Sequence, residues 1–132
     1  MVTIDGLRRL RRVAFVMTGS RRVGDDALRG FLRQQDAFAA GESPSPASRL
    51  AGLIPWLERI DHFCEPSPEL SRLHLHLLAQ PFRARAAVVL RLVDGLSLTS
   101  AAEILGCRTD EVQALVTAVR LELRSSLLIE PA

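Results

Sequence analysis

Apolar residues recur along this chain at three- and four-residue intervals almost from end to end, and no stretch sustains the two-residue alternation of a half-buried strand. Leu7, Leu10, Ala14 and Met17 make one stripe of a first helix, which Thr18-Gly19-Ser20 should end. A second helix is predicted from Val23 to Ala39, with Asp25 and Asp26 favouring its N-terminal dipole. Gly41-Glu-Ser-Pro-Ser-Pro46 reads as a loop, because two prolines and a glycine exclude a continuous helix. Residues 47–63 return to helical spacing through Leu50, Leu53, Ile54, Leu57 and Ile60, with Pro55 either kinking that helix or marking its true start. Glu65-Pro-Ser-Pro68 reads as a linker, and Ser67-Pro68 doubles as an N-cap followed by proline at the first helical position. Helices are then predicted over 68–79, 81–93, 98–105 and 109–127, with Asp94-Gly95 closing the second and Thr109 capping the last. The expected fold is all-α, with about seven helices in two small lobes, residues 1–64 and 70–132, joined by a linker at 65–69.

The pattern tightens between Leu98 and Arg120. Ala102 is small enough for two helices to cross closely, Gly106 can turn the chain, and Val112 and Leu115 follow to plug the corner. This spacing suits two helices joined by a short turn, the frame of a DNA reader. The charges do not follow the frame. The second helix would open on Asp110 and Glu111, where a DNA reader needs donors facing phosphate. Its core stripe is Val112, Leu115, Val116, Val119 and Leu123. The opposing side runs through Asp110, Gln113, Ala114, Thr117, Ala118 and Leu121. A major-groove reader would carry Arg, Lys, Asn or Ser on that side. Small, weakly apolar and acidic at its start, it suits contact with another helix better than contact with DNA.

Composition sharpens this contrast. A chain of 132 residues, 48% of them hydrophobic, can bury a real core in one domain or two small lobes. No apolar run is long enough to cross a bilayer, and the charged start is not expected to be a signal peptide. Two cysteines, Cys64 and Cys107, make no disulfide framework and fit a reduced, cytoplasmic setting. All 17 basic residues are Arg, as a GC-rich genome would give. Residues 1–35 hold eight of them against three acids, a net of +5, whereas residues 36–132 hold nine against twelve, a net of −3. Within 80–132, six Arg and six acids cancel. Phosphate neutralisation supplies much of the affinity of a duplex reader, so positive charge belongs on the reading lobe. Here it sits at the other end, in Arg8, Arg9, Arg11 and Arg12 with Arg21 and Arg22 beyond. Phe15 is the nearest aromatic, and stacking platforms for single strands are lacking.

Catalytic and metal chemistry find little support. His62, Cys64, His74, His76 and Cys107 are the soft-metal candidates. His74 and His76 stand two apart on a predicted helix, so they diverge and cannot easily share an ion. Asp25 and Asp26 are adjacent and diverge likewise. No Ser-His-Asp arrangement, phosphate loop or carboxylate pair is recognisable, and no catalytic, cofactor-binding or metal residue is assigned.

Two segments, read together, resemble a sigma factor. The run from Gln80 to Cys107 and its continuation resembles region 4 of ECF-type sigma factors, which binds promoter DNA. Arg8-Arg-Leu-Arg-Arg-Val-Ala-Phe-Val-Met-Thr-Gly-Ser20 with Gly24-Asp-Asp-Ala-Leu28 resembles the start of their region 2. Region 2 normally continues into an aromatic, basic helix that contacts promoter DNA and core polymerase. The corresponding stretch here, Arg49 to Asp61, holds one Trp, two Arg and two acids. This degenerate pattern is similar to the sigma-factor-like domain of PhyR-type response regulators of the alphaproteobacterial general stress response. In that family the domain imitates a sigma factor, binds a NepR-type anti-sigma factor and frees the true sigma factor.

The resemblance implies a sigma-factor mimic that is not an enzyme, needs no cofactor, does not engage membranes and binds DNA weakly or not at all. The expected partner surface is the Asp110–Leu121 face (Asp110, Gln113, Ala114, Thr117, Ala118 and Leu121) with Leu28 and Leu32, and with Arg8 and Arg12 pairing to partner acids. PhyR-type proteins also carry a C-terminal receiver domain, for which this sequence has no counterpart. The chain is expected to be an excised domain or a stand-alone mimic, controlled in the second case by abundance, a separate receiver domain or a kinase pathway. The alternatives are a genuine ECF sigma factor binding promoter DNA and core RNA polymerase, and a non-sigma helix-turn-helix DNA binder.

Overall fold

The computed structural model of the chain describes residues 3–38, 46–61, 67 and 69–129. Among them it is all-α: α1 (Ile4–Thr18), α2 (Arg21–Phe38), α3 (Pro46–Ile60), α4 (Arg72–Leu78), α5 (Phe82–Val88), α6 (Leu98–Leu105) and α7 (Thr109–Ile129), with no strand. The residues read as a loop at 41–45, and Glu65, Pro66 and Pro68 of the expected linker, lie outside the described residues.

Local chemistry explains most of the boundaries. Thr3 caps α1 by accepting from the Gly6 N–H, and Gly19, at φ 74°, ends it by donating to the Phe15 carbonyl. Ser97 caps α6 by accepting from Ser100 N–H at 3.1 Å. Gly106, at φ 66°, and Cys107 close that helix by donating to the Glu103 and Ala102 carbonyls, a Schellman turn that only a residue tolerant of positive φ can make cheaply. This turn sets α6 against α7 in the helix-turn-helix arrangement expected from the sequence.

Several boundaries differ from the sequence reading. Ser71, not Ser67, caps α4, accepting from His74 N–H at 3.1 Å. The α2 helix begins at Arg21, two residues early, with Ser20 Oγ accepting from Val23 N–H. Asp25 and Asp26 therefore lie beyond its first turn and serve ion pairs with Arg11 and Arg29 instead of the helix dipole. The α3 helix starts at Pro46, where proline is tolerated, and runs through Pro55. Thr109 is the first residue of α7 rather than its cap, since Val112 N–H bonds the Arg108 carbonyl. Past Val88, α5 widens into a π-helical turn, Val89–Val93, before Asp94.

The core is continuous through both halves of the chain. Leu10, Val13 and Met17 of α1, Leu28 and Phe31 of α2, and Leu50, Leu53 and Leu57 of α3 join Leu77, Ala86, Val89, Leu90, Ala101, Val112, Val116 and Val119 in one buried cluster. Small residues set the closest approaches. A Cβ on Gly24 would stand 3.1 Å from the Ala14 carbonyl carbon, so α1 and α2 touch backbone to backbone. Phe31 and Trp56 meet edge to face across α2 and α3, with ring centroids 6.0 Å apart.

Two arginines lock the halves together. Arg85, 5% exposed, donates to the carbonyls of Met17, Leu78 and Gln80 and to Asp61 Oδ1 at 2.6 Å. One guanidinium thus satisfies carbonyls at the end of α1 and in the turn before α5, where helix C-termini favour a cation. Its Nε is buried without a partner among the described residues. Arg9 grips Asp94, whose side chain is 1% exposed, with both ends of its fork at 3.1 and 2.7 Å. That bond raises the Arg9 pKa above its ordinary value, so the cation persists at every accessible pH.

Candidate protein-binding surfaces

The α7 helix carries the first candidate surface. Val112, Val116 and Val119 are buried and Leu115 and Leu123 half-buried, so the expected core stripe faces inward. Asp110, Gln113, Ala114, Thr117, Ala118 and Leu121 are all exposed, as one solvent face must be when its opposite stripe packs. Leu121 is 59% exposed beside Thr117, Arg120, Leu123 and Arg124, which line a shallow hollow of about 450 Å³. Gln113 Nε2 donates to Thr117 Oγ1 at 3.2 Å, one helical turn away. Arg108, the cation nearest the helix start, is spent on Asp110 at 2.6 Å. What remains at the entering end of the helix is two carboxylates, a paired amide and alanines. Beyond Arg108, which is paired with Asp110, no basic side chain stands at that end to meet a phosphate or a guanine edge. Arg120 and Arg124 lie at the far end of this face.

The α3 helix repeats the theme. Of the two arginines in the stretch from Arg49 to Asp61, Arg49 is 3% exposed and donates to Gln35 Oε1 at 2.8 Å. Arg59 alone in that stretch presents a cation to solvent. The ring of Trp56, half-buried against Phe31, is part of the packing between α2 and α3. A helix built this way has little with which to hold a nucleic-acid backbone.

The α1–α2 pair supplies a second surface. Leu7, Leu28 and Leu32 with Arg11, Asp25 and Arg29 line a groove of about 350 Å³. Leu28 departs from the sequence reading: at 3% exposure it belongs to the core and reaches the groove only as its floor. Leu32 is half-buried, and the exposed apolar side chains are Leu7 and, one turn earlier, Ile4. The sequence reading did not single out Leu7, Arg11 or Arg29 for this site; it places Leu7 on one stripe of the first helix with Leu10, Ala14 and Met17. Arg8 and Arg12 are exposed as expected, Arg8 lying 3.9 Å from Asp5 and Arg12 making no ion pair among the described residues.

Metal and thiol candidates acquire structural roles. No group of three or more potential ligands gathers among the described residues, and His62 and Cys64 lie outside them. His74 is half-buried: its Nε2 lies 2.9 Å from the Val16 carbonyl and its ring meets Phe15 edge-on. Cys107 is half-buried in the helix-turn-helix corner. No described helix is long and apolar enough to cross a membrane.

No protein-family model matches this sequence, and no curated protein matches it. Solved structures do. A chain of the complex between the anti-anti-sigma factor PhyR and the anti-sigma factor NepR from Bartonella quintana superposes with a TM-score of 0.71 at 20% identity, over 93% of this chain. This chain spans only 48% of the length of that one. A chain of the complex between the sigma factor RpoE and NepR from Bartonella quintana gives a TM-score of 0.74, again at 20% identity, over 97% of this chain and 95% of that one. With the seven helices of its described residues in this order, the chain shares the fold of these two chains.

Proposed function

We propose that this chain is a sigma-factor mimic that binds and sequesters an anti-sigma factor of the NepR type, releasing a true sigma factor in a bacterial stress response. The observation that carries the reading is the outer face of α7. It keeps the helix-turn-helix frame and presents Gln113, Ala114, Thr117, Ala118 and Leu121 behind an acidic first turn. The buried Arg49 and packed Trp56 of α3 point the same way. The two similar structures described above are complexes with NepR, which supports the choice of partner class.

In this reading residues 1–64 act as a region 2-like lobe and residues 70–132 as a region 4-like lobe, joined at 65–69. The partner lays apolar side chains on the α7 face and on Leu7 and Leu32 of the α1–α2 groove, while its acids meet Arg8 and Arg12. A few aliphatic anchors, Leu121 foremost, carry most of the energy. The chain acts in the cytoplasm, without catalysis or cofactor.

One observation favours a second reading, a genuine ECF-type sigma factor that binds promoter DNA and core RNA polymerase: the RpoE match covers nearly the whole of both chains. Titration calorimetry of the chain with a purified NepR-type anti-sigma protein, and separately with core polymerase, tells the readings apart. Saturable binding to the anti-sigma protein without binding to core polymerase supports the mimic. Binding to both supports the sigma factor, and binding to neither removes both.

A further inference from the structure

The α1 helix and the start of α2 enclose a second concavity, of about 260 Å³, lined by Arg8, Arg11, Arg12, Phe15, Arg21 and Asp25. Four guanidiniums share it with one carboxylate. Arg11 holds that carboxylate through both oxygens, at 3.1 and 3.0 Å, and so is spent. Asp5, exposed and 3.9 Å from Arg8, screens that residue weakly. Arg8, Arg12 and Arg21 therefore carry positive charge in excess. Like charges held this close repel one another unless an anion offsets them. Arg21 stands in the first turn of α2, where the helix dipole disfavours a cation and favours an anion beside it.

We propose that this concavity is an anion site that takes a short phosphate chain, with Arg8, Arg12 and Arg21 as its ligands. Guanidinium forks match phosphate oxygens in geometry and stay charged at every accessible pH. The aromatic ring of the site is already engaged. The Arg21 guanidinium lies 5.1 Å from the Phe15 ring centroid, and His74 meets that ring edge-on at 5.2 Å. A nucleobase would have to displace one of them, whereas phosphate oxygens reach the arginines without doing so. Size agrees: the space falls below the roughly 300–1,000 Å³ of sites that enclose drug-sized ligands. Arg8 and Arg12 also belong to the face assigned above to the anti-sigma partner. Direct anion binding is nevertheless read independently of that assignment.

Inorganic tripolyphosphate, titrated calorimetrically into the whole chain at low salt, is the test. Saturable binding at one site per chain is expected, weakened at least about ten-fold by Arg12→Ala or Arg21→Ala and left unchanged by Arg59→Ala on α3. Circular dichroism of each variant should match that of the parent chain, since all three side chains are exposed. A parallel titration with ATP separates the sources of the phosphate chain. Equal or weaker binding supports the free chain, and tighter binding supports a nucleotide that brings it. No saturable binding, or an equal loss in Arg59→Ala, overturns the proposal.

Discussion

Arg9 and Asp94, 85 positions apart, form a two-pronged ion pair that fastens α1 to the corner before the helix-turn-helix. The carboxylate sits at a helix C-terminus and out of water, where it would be destabilising alone. Replacing Arg9 by Ala leaves that charge unpaired. Urea denaturation should show a loss of about 2 kcal/mol, tempered because Arg9 is itself partly exposed. In a double-mutant cycle, Asp94→Asn should recover part of the loss, and strictly additive effects would deny the coupling.

Arg85 should matter more. Arg85→Met strands three carbonyls and Asp61 around a buried apolar chain, at a cost of about 3–5 kcal/mol. Arg85→Lys should not restore the parent midpoint, because both terminal nitrogens of the fork are in use. A shift in thermal midpoint of only a degree or so would place these bonds among the dispensable ones.

Two glycines separate close approach from backbone strain. At Gly24 a methyl meets backbone of α1, which cannot swing aside, so Gly24→Ala should lose about 1–3 kcal/mol despite the better helix propensity of alanine. At Gly106 nothing lies within 4 Å, and Gly106→Ala should cost about 1 kcal/mol through its positive φ alone. Reversal of that order in denaturant midpoints would contradict the packing described for α1 and α2.

The α7 face can be altered without touching the core. Ala114→Arg and Ala118→Arg should each leave stability within about 0.5 kcal/mol of the parent, since both sites are exposed. Each should weaken binding of a NepR-type anti-sigma protein at least about ten-fold by burying an unpaired charge at the interface. Unchanged affinity in both variants would move the binding surface elsewhere.

Residue spacing made the helices legible, and the small–Gly–apolar phrase around Ala102, Gly106 and Val112 made the helix-turn-helix legible, because these depend on local rules. The six outward positions of α7 follow from the same periodicity. What escaped the sequence depends on tertiary partners. Arg85 and Arg49 look like any surface arginine until the carbonyls of Met17 and Leu78, or the amide of Gln35, are brought to them. Leu28 looked available because its helix is amphipathic, but α1 packs close against α2 and covers it. Ser67 and Ser71 both offer a capping hydroxyl, and only the course of the chain decides between them. The π-helical turn at Val89–Val93 leaves no mark in an apolar run.

The proposed function requires that the α7 face reads a protein and not DNA. It is tested most directly by one competition, with the chain mixed with labelled promoter duplex and a NepR-type anti-sigma protein between roughly 50 and 200 mM salt. The chain should travel with the anti-sigma protein across the whole range while the duplex stays free. Sequence-selective retention of the duplex that falls steeply with salt would contradict it.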